Sequence, residues 1–342
     1  MYKLAIIPKI HWVSQYSRAY GSQHDHKNIK KCLKNSIYKR KINFNIMSYK
    51  RFLKNANNFD GVVFIGISKQ SESYFIGDSG LDMFTWSFNQ MEWINRPHLF
   101  NNVKIVFEQS TKDLSAFIPS NRSVYYLPLG FQSNKRNRKT TKPLYDVVFN
   151  GTLDRSRRAT AKFHRRDILK KLLEAGFSIL NYNGRARKKV ESKLLKSLKK
   201  FKDFRVVPRF GEPSHYSHGK YALNLPFHEL GSEESIKANW GMSRHELENG
   251  NWLINWDLFR CIGARSNMIT FDCPETRALG LNEDNCHFYQ GDTTHIEGMA
   301  KEIVKIVRTG AVKFITDDVW QKNTYQARWD FIIDKICNNV GL

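Results

Sequence analysis

The chain has 342 residues, of which 41% are hydrophobic and 13% aromatic, enough to bury a sizeable core. This composition excludes a globally disordered or collagen-like chain, and the absence of any run approaching 18 consecutive apolar residues excludes a membrane-spanning helix. The 55 Lys and Arg residues outnumber the 32 Asp and Glu residues, and the resulting net charge of +23 favours a polyanionic partner.

Short apolar runs alternate with amphipathic stretches, a pattern typical of parallel sheets with crossover helices. In the first half, strands are predicted at 4–7, 61–66, 103–107 and 124–127. In the second half, strands are predicted at 146–149, 178–182, 204–207, 222–225 and 268–271. Helices are predicted at 165–175, where one apolar stripe ends at Gly176, at 296–308, and in the aromatic-rich stretch 317–336. We therefore expect an α/β protein.

A polar, basic stretch at 133–143 separates two halves of similar build and ends in Pro143, so it is the best linker candidate. We predict a first domain at 1–134, a basic linker at 135–143, a second domain at 144–315 and a final helical segment at 316–342 that packs back on the first domain. The N-terminal apolar run is short and is followed by Pro8 and Lys9, which indicates a buried strand and not a signal peptide.

The five cysteines are scattered, and their spacing matches no zinc motif. We therefore expect a reduced, cytoplasmic protein without structural zinc.

The positive charge is concentrated in residues 135–209, which hold 24 basic and six acidic residues. A uniform excess of lysine would not gather in so short a segment. Nucleic acid, an anionic membrane surface and phosphorylated substrates are all partners that such a charge would attract.

Three glycine turns follow predicted strands of the second half. The first, in 145–158, brings Gly151, Thr152 and Arg158 together before a helix, where backbone N–H groups, a hydroxyl and a guanidinium can bind phosphate. Taken alone this is a weak signal, equally compatible with an ordinary turn and solvated arginines, because neither a G-x-G-x-x-G nor a Walker A motif is present. Turns at Gly184 and Gly211 end the next two strands, and three such turns line the edge where open α/β sheets bind ligands.

The segments YDVVFNGTLDRSRR, FSILNYNGRARKK and WDLFRCIGARSNMITFD follow one another in an order that resembles GT-B glycosyltransferases. The resemblance is strongest to the DNA β-glucosyltransferase family of T-even phages and covers most of residues 145–308. It implies two Rossmann-like parallel-sheet domains that face a cleft, with a C-terminal helix crossing back. It also implies transfer of a sugar, with inversion, from a UDP-sugar such as UDP-glucose or a UDP-pentose to the hydroxymethyl group of 5-hydroxymethylcytosine in duplex DNA.

The resemblance also implies which residues bind the donor. They are Gly151, Thr152, Arg155, Arg158, Gly184, Gly211, Glu212, Asp257 and Arg260. The family has an arginine at the position of Asp257 and a glutamate at the position of Arg260, so the two charges are exchanged here. Their three-residue spacing puts both on one helix face, where they could serve the donor or form a surface salt bridge.

The family's catalytic aspartate falls on Glu108, at the end of a predicted strand. A carboxylate there would accept the proton of the attacking hydroxyl group. Asp78 is a rival candidate for this base, and a surface carboxylate without a catalytic role is the alternative for Glu108.

The DNA-binding candidates are basic residues of the linker and of a lysine-rich stretch, 188–202, that we predict to be one helix. They are Lys135, Arg136, Arg138, Lys139, Lys188 and Lys189. The resemblance implies that the target base is extruded from the duplex. It further implies a UDP-sugar as co-substrate, a divalent metal ion as an option that folding does not require, and a monomer in the cytoplasm of a phage host without a membrane partner.

Two other functions are compatible with the sequence. The protein could transfer sugar to a polysaccharide, lipid or protein acceptor, although such acceptors would not require a charge of +23. Alternatively, it could be a non-catalytic nucleic-acid-binding α/β protein, against which the three glycine turns and Arg158 argue.

Overall fold

The computed structural model describes residues 1–8, 26–66, 80–87, 101–108, 122–128, 130–131, 142–153, 164–225, 256–290 and 296–342. The chain divides into two compact units, Met1–Gln132 together with Thr324–Leu342, and Ser133–Asn323. Each unit contains one six-stranded sheet in which every pair of neighbouring strands is parallel. The predicted α/β class with two parallel sheets is therefore confirmed.

The first sheet has the strand order β2-β1-β3-β4-β5-β6. Its strands are β1 (Tyr2–Pro8), β2 (Ile42–Ile46), β3 (Gly61–Ile65), β4 (Asp82–Ser87), β5 (Val103–Glu108) and β6 (Ser123–Tyr126). Helix α1 (His26–Asn35) and a 3₁₀ turn (Ile37–Arg40) precede β2, and helix α2 (Tyr49–Leu53) follows it. Every residue of β3 is buried, as expected of a parallel strand covered on both faces.

The second sheet has the strand order β12-β11-β10-β7-β8-β9. Its strands are β7 (Tyr145–Asn150), β8 (Ile179–Tyr182), β9 (Phe204–Val207), β10 (Gly219–Leu223), β11 (Met268–Asp272) and β12 (His287–Gln290). Within the described residues, the helices of this unit are α3 (His164–Glu174), α4 (Lys189–Leu198), α5 (Trp256–Gly263), α6 (Pro274–Ala278), α7 (Ile296–Thr309) and α8 (Asp317–Lys322), and a 3₁₀ helix spans Pro213–His218.

Helix α3 shows how the apolar periodicity of the sequence becomes packing. The four residues of its predicted stripe, Ile168, Leu169, Leu172 and Leu173, are all buried in the core of the second unit. Gly176 has a φ of +87°, a conformation that side-chain-bearing residues rarely adopt, and it ends the helix as predicted.

A last helix, α9 (Tyr325–Val340), packs on the sheet of the first unit. The ring of Trp86 in β4 stacks on Tyr325 at 5.9 Å between centroids and meets Trp329 edge-on at 5.8 Å. The chain enters this helix beside Gly130, where a Cβ atom would lie 2.8 Å from the backbone of Thr324, so the crossing requires a glycine. This is the predicted C-terminal helix that returns to the first unit.

The final segment is two helices and not one, because Asn323 and Thr324 separate α8 from α9. Helix α8 belongs to the second unit, where the Trp320 indole donates to the carbonyl of Gly263 at 3.1 Å and Asn323 donates to that of Leu279 at 2.9 Å. The boundary between the units therefore lies at Thr324, whereas the sequence suggested residue 316.

Strands β2 and β4 were not predicted, because polar residues such as Asn43 and Thr85 interrupt their apolar runs. The strand predicted at 222–225 begins earlier, at Gly219. The lysine-rich helix ends at Leu198, so only part of the predicted 188–202 segment is helical.

All five cysteines are buried thiols without a disulfide. None of the helices that the structure describes has the length and apolar character needed to cross a bilayer.

Candidate functional site

The three predicted glycine turns lie at one edge of the second sheet. Strands β7, β8 and β9 are adjacent and parallel, and the turns containing Gly151, Gly184 and Gly211 follow their carboxyl ends. Polar groups in these turns are therefore neighbours, at the sheet edge where α/β proteins place their ligands.

The turn after β7 depends on glycine. Gly151 has a φ of +154°, and a Cβ atom there would lie 3.1 Å from the ring of Phe149. Its N–H donates to the carbonyl of Tyr182 at 2.9 Å, and its own carbonyl accepts from the Asn181 side chain at 3.1 Å. The backbone of this turn is consequently held in one conformation by the neighbouring strand β8.

Asn150 links the turn after β7 to two other parts of the site. Its side-chain oxygen accepts the N–H of Gly211 at 2.9 Å, and its side-chain nitrogen donates to Asp257 at 2.7 Å. Asp257 in turn forms an ion pair with Arg260 at 3.1 Å along helix α5. Three segments that are distant in sequence thus meet through one 98%-buried amide side chain.

The exchanged pair Asp257 and Arg260 shares one helix face, as its spacing predicts, and the two residues form a salt bridge. The bridge is not a solvated surface pair, because the side chains are 20% and 10% exposed. Asp257 also receives the hydrogen bond from Asn150, so the pair contributes to the architecture of the turns.

A buried carboxylate holds the other side of the Gly151 turn. Glu191, which lies in the first turn of α4 and is 2% exposed, accepts the N–H of Leu153 at 2.6 Å. The same oxygen accepts a short bond from the side chain of Asn183, and the Asn183 oxygen accepts the N–H of Arg185 at 3.0 Å. This network joins the turn after β7 to the turn after β8 through charge-assisted hydrogen bonds.

Arg165, near the start of α3, is the buried cation beneath the same turn. Its guanidinium donates to the carbonyl of Thr152 at 3.2 Å and to that of Leu225 at 3.0 Å, and it lies over the Phe149 ring at 5.7 Å. Two buried guanidinium groups are therefore connected to the Gly151 turn: Arg165 directly, and Arg260 through Asp257 and Asn150. Each residue is 8% exposed.

The loop after β9 carries an aromatic stack. The ring of His215 stacks on Tyr182 at 4.7 Å with an interplanar angle of 15°, and the Tyr182 hydroxyl lies 2.9 Å from the Nδ1 atom of His218. Burial lowers the pKa of His215, and the nearby Arg209 guanidinium lowers it further. Burial also raises the pKa of Tyr182. The N–H of Glu212 donates to Nδ1 of His215 at 2.8 Å, which orients the ring.

The remaining predicted donor residues differ in their surroundings. Thr152 is 5% exposed, and Gly184 is exposed but lies so close to the Phe210 ring that a side chain there would displace it. The side chain of Glu212 is exposed. Lys188 and Lys189, predicted to contact DNA, are exposed at the start of α4.

Several predicted site residues lie outside the described part of the chain. They are the rival base Asp78, the arginines Arg155 and Arg158, and the linker residues Lys135, Arg136, Arg138 and Lys139.

Glu108 lies in the first unit, as the last residue of β5, with its carbonyl accepting the N–H of Leu127 at 2.6 Å. It is 0% exposed, so the alternative of a surface carboxylate is wrong.

Sequence reasoning missed five buried polar residues of the site: Asn150, Arg165, Asn181, Asn183 and Glu191. The sequence does contain a signal for the three asparagines, which lie at the ends of two mainly apolar strands. A buried amide needs hydrogen-bond partners, so an asparagine at such a position indicates a partner in a neighbouring turn or in a ligand. Within the described residues no group of His, Cys, Asp and Glu side chains is arranged to bind a metal ion.

No protein-family model matches the chain, and no curated protein matches it significantly in sequence. Solved structures match it in fold. Sucrose-phosphate synthase from Thermosynechococcus elongatus superposes with a TM-score of 0.60 at 9% identity over 99% of both chains. HepE from Anabaena, in complex with UDP and glucose, gives 0.59 at 9% identity over 99% of this chain and 100% of its own.

The lipopolysaccharide outer core galactosyltransferase WaaB gives a TM-score of 0.56 at 13% identity over 97% of this chain and 99% of its own. Identities this low establish fold and nothing finer. Together with the two parallel six-stranded sheets and the returning C-terminal helix, these matches show that the chain has the fold of GT-B glycosyltransferases.

Proposed function

We propose that the protein is a glycosyltransferase that uses a UDP-sugar as donor. The observation that carries the proposal is the edge of the second sheet, where the turns of Gly151 and Gly211 are joined through Asn150 to Asp257 and Arg260. Two structures of the same fold, HepE and the pneumococcal O-GlcNAc transferase GtfA, were solved with UDP bound. The fold that carries the proposed donor site therefore binds UDP in other proteins.

The donor diphosphate would lie against the turn after β7. Gly151 leaves room for an anion to approach the backbone, and Thr152 supplies a hydroxyl group. Arg155 and Arg158, which follow the turn in sequence, are proposed to pair with the phosphates. The Tyr182–His215 stack and the Gly211 loop border the same edge and are proposed to contact the base and ribose.

We further propose DNA as the acceptor, at the hydroxymethyl group of a modified pyrimidine such as 5-hydroxymethylcytosine. The support is electrostatic, since a net charge of +23 suits a polyphosphate far better than a neutral glycan. Glu108 is the proposed base, because its carboxylate is buried at the carboxyl end of a strand in the first unit. Asp78 is the second choice for that role.

A carbohydrate acceptor is the competing proposal. It is favoured by one specific observation, that the matching structure WaaB is named as a lipopolysaccharide galactosyltransferase. The two proposals share the donor site and differ only in what the sugar is transferred to.

The donor proposal is tested by calorimetric titration with UDP. Arg158→Ala should weaken UDP binding by about 1.5–3 kcal/mol, the contribution of a hydrogen bond to a charged group. Lys220→Ala, which removes an exposed cation from the start of β10, is the matched control and should leave UDP binding unchanged. Absence of UDP binding by the unmodified protein would refute the proposal.

The acceptor proposal is tested by incubating the enzyme with UDP-glucose or UDP-pentoses and hydroxymethylated duplex DNA. Nucleoside mass spectrometry should detect a glycosylated pyrimidine, and unmodified DNA of the same sequence should give none. Transfer to an oligosaccharide but never to this DNA would refute the DNA acceptor while leaving the donor proposal in place.

A further inference from the structure

The first unit carries a long basic surface that the charge distribution of the whole chain conceals. Residues 26–59 contain ten Lys and Arg residues and no Asp or Glu. All ten side chains are exposed: Lys27, Lys30, Lys31, Lys34, Lys39, Arg40, Lys41, Lys50, Arg51 and Lys54. We call these ten residues the first-unit basic surface.

Helix α1 presents four of these lysines as one stripe. Lys27, Lys30, Lys31 and Lys34 follow the spacing i, i+3, i+4 and i+7, which places them on one face of a helix. The opposite face, which includes Ile29, is buried within the first unit. Among the described side chains of α1, the other residues that are not buried are Asn28, which is half-buried, and Asn35, which is exposed.

This arrangement is unfavourable for the helix by itself. Like charges at i and i+4 destabilise a helix by about 0.2–0.5 kcal/mol per pair, and Lys27 also lies at the positive end of the helix dipole. No acidic residue occupies the first turn of α1, and within the described part of the chain no carboxylate forms an ion pair with any of the ten cations. Lysines elsewhere do have such partners, for example Lys170 with Glu174. A polyanion would relieve this repulsion.

The topology continues the stripe around one edge of the sheet. Strand β2 is the edge strand, with the 3₁₀ turn Ile37–Arg40 and Lys41 at its start and α2 just after its end. The crossovers through α1 and α2 run in opposite directions along the order β2-β1-β3, so right-handed connections put the two helices on opposite faces of the sheet. Basic side chains therefore flank the β2 edge on both faces and at both ends.

We propose that the first-unit basic surface binds the phosphate backbone of duplex DNA. Helix α1 is about 15 Å long, a length over which B-DNA displays about nine phosphates on its two strands. The stripe consists of lysines, which bind phosphate but carry no large apolar group to insert into a bilayer. The exposed large apolar side chains among residues 26–59 are Ile37 in the 3₁₀ turn and Leu53 in α2, which are 84% and 49% exposed, and a membrane would use these. This inference adds a DNA-binding surface to the proposed function, and the choice of DNA as the polyanion rests on that function.

The test compares two triple variants that remove three charges at identical helical spacing. The stripe variant is Lys27→Gln, Lys31→Gln and Lys34→Gln. The control variant, in α7 of the second unit, is Lys301→Gln, Lys305→Gln and Arg308→Gln, whose side chains are also exposed. Neither variant changes a residue proposed for catalysis or donor binding, and circular dichroism verifies that both fold.

Binding of an unmodified 30-base-pair duplex is measured by fluorescence anisotropy between 50 and 200 mM salt. Each lost phosphate contact reduces the magnitude of the slope of log affinity against log salt concentration by about 0.9. Removal of three lysines should therefore reduce this slope by about 2–3 and weaken DNA binding at least tenfold. The control variant should stay near the wild-type protein. Equal losses in the two variants, wild-type binding by the stripe variant, or absence of DNA binding by the wild-type protein would each overturn the proposal.

Vesicles containing phosphatidylserine provide the second arm. Loss of vesicle binding by the stripe variant with DNA binding retained would assign the surface to membranes and overturn the proposal. Sugar transfer is measured separately, so a protein that binds DNA through the stripe but never binds UDP would support this inference and refute the proposed function.

Discussion

The buried carboxylate of Glu191 offers the sharpest test of how the proposed donor turn is built. It accepts the N–H of Leu153 and the side chain of Asn183, and it is 2% exposed. A hydrogen bond to a charged group contributes about 1.5–3 kcal/mol, so removing both with Glu191→Ala should cost about 3–6 kcal/mol. That is a large share of the roughly 5–15 kcal/mol that stabilises a typical domain.

Glu191→Gln is the variant to measure, because it keeps the shape and one acceptor oxygen. Charge-assisted hydrogen bonds are roughly twice as strong as neutral ones, so the amide should retain about half of the stabilisation and lose about 1.5–3 kcal/mol. The matched control is Glu174→Gln in α3, an exposed carboxylate that pairs with Lys170 at i,i+4 and should cost at most about 0.5 kcal/mol.

Urea denaturation measures the free energy of unfolding of each variant, and calorimetry measures binding of UDP and of uridine. If Glu191 holds the turn that receives the diphosphate, Glu191→Gln should weaken UDP binding more than uridine binding. A loss of stability no greater than that of Glu174→Gln would refute the reasoning about the buried network. Equal weakening of UDP and uridine would refute its connection to the phosphates.

Three further predictions concern single residues. Gly151→Ala should lower the urea midpoint by an amount equivalent to about 1–3 kcal/mol, because φ is +154° and the Phe149 ring lies 3.1 Å from the new Cβ atom. Because the pKa of His215 is lowered in the folded protein, the unfolded chain binds the proton first as pH falls, so stability present above about pH 6.5 is lost on acidification. His215→Gln should reduce this loss between pH 7.5 and 5.5 in urea titrations, leaving the part due to His287, whose pKa is also lowered by burial. Glu108→Gln should reduce sugar transfer by about 10²–10⁴-fold with UDP and DNA binding retained, and near-normal turnover would exclude it as the base.

The sequence by itself determined the class of the fold and most of its strands. Fully apolar runs such as Gly61–Ile65 can only be buried strands or helices, and their short length and β-branched residues select strands. The glycines at 151 and 211 were recognisable because glycine after a strand has a specific backbone role. The order of motifs also identified the GT-B resemblance, which the matching structures confirm at the level of fold.

The tertiary structure alone decided how these motifs are joined. Gly211 and Asp257 lie 61 and 107 residues after Asn150, and no local pattern predicts that this one amide would bridge them. Glu191 lies among lysines in the sequence, and only its place in the first turn of α4 brings its carboxylate to the N–H of Leu153. The lysine stripe of α1 was likewise not recognised from the sequence, because the exposure of its side chains depends on how the helix packs. Local sequence sets backbone preferences and periodicity, whereas burial and polar partnership depend on which distant strands become neighbours.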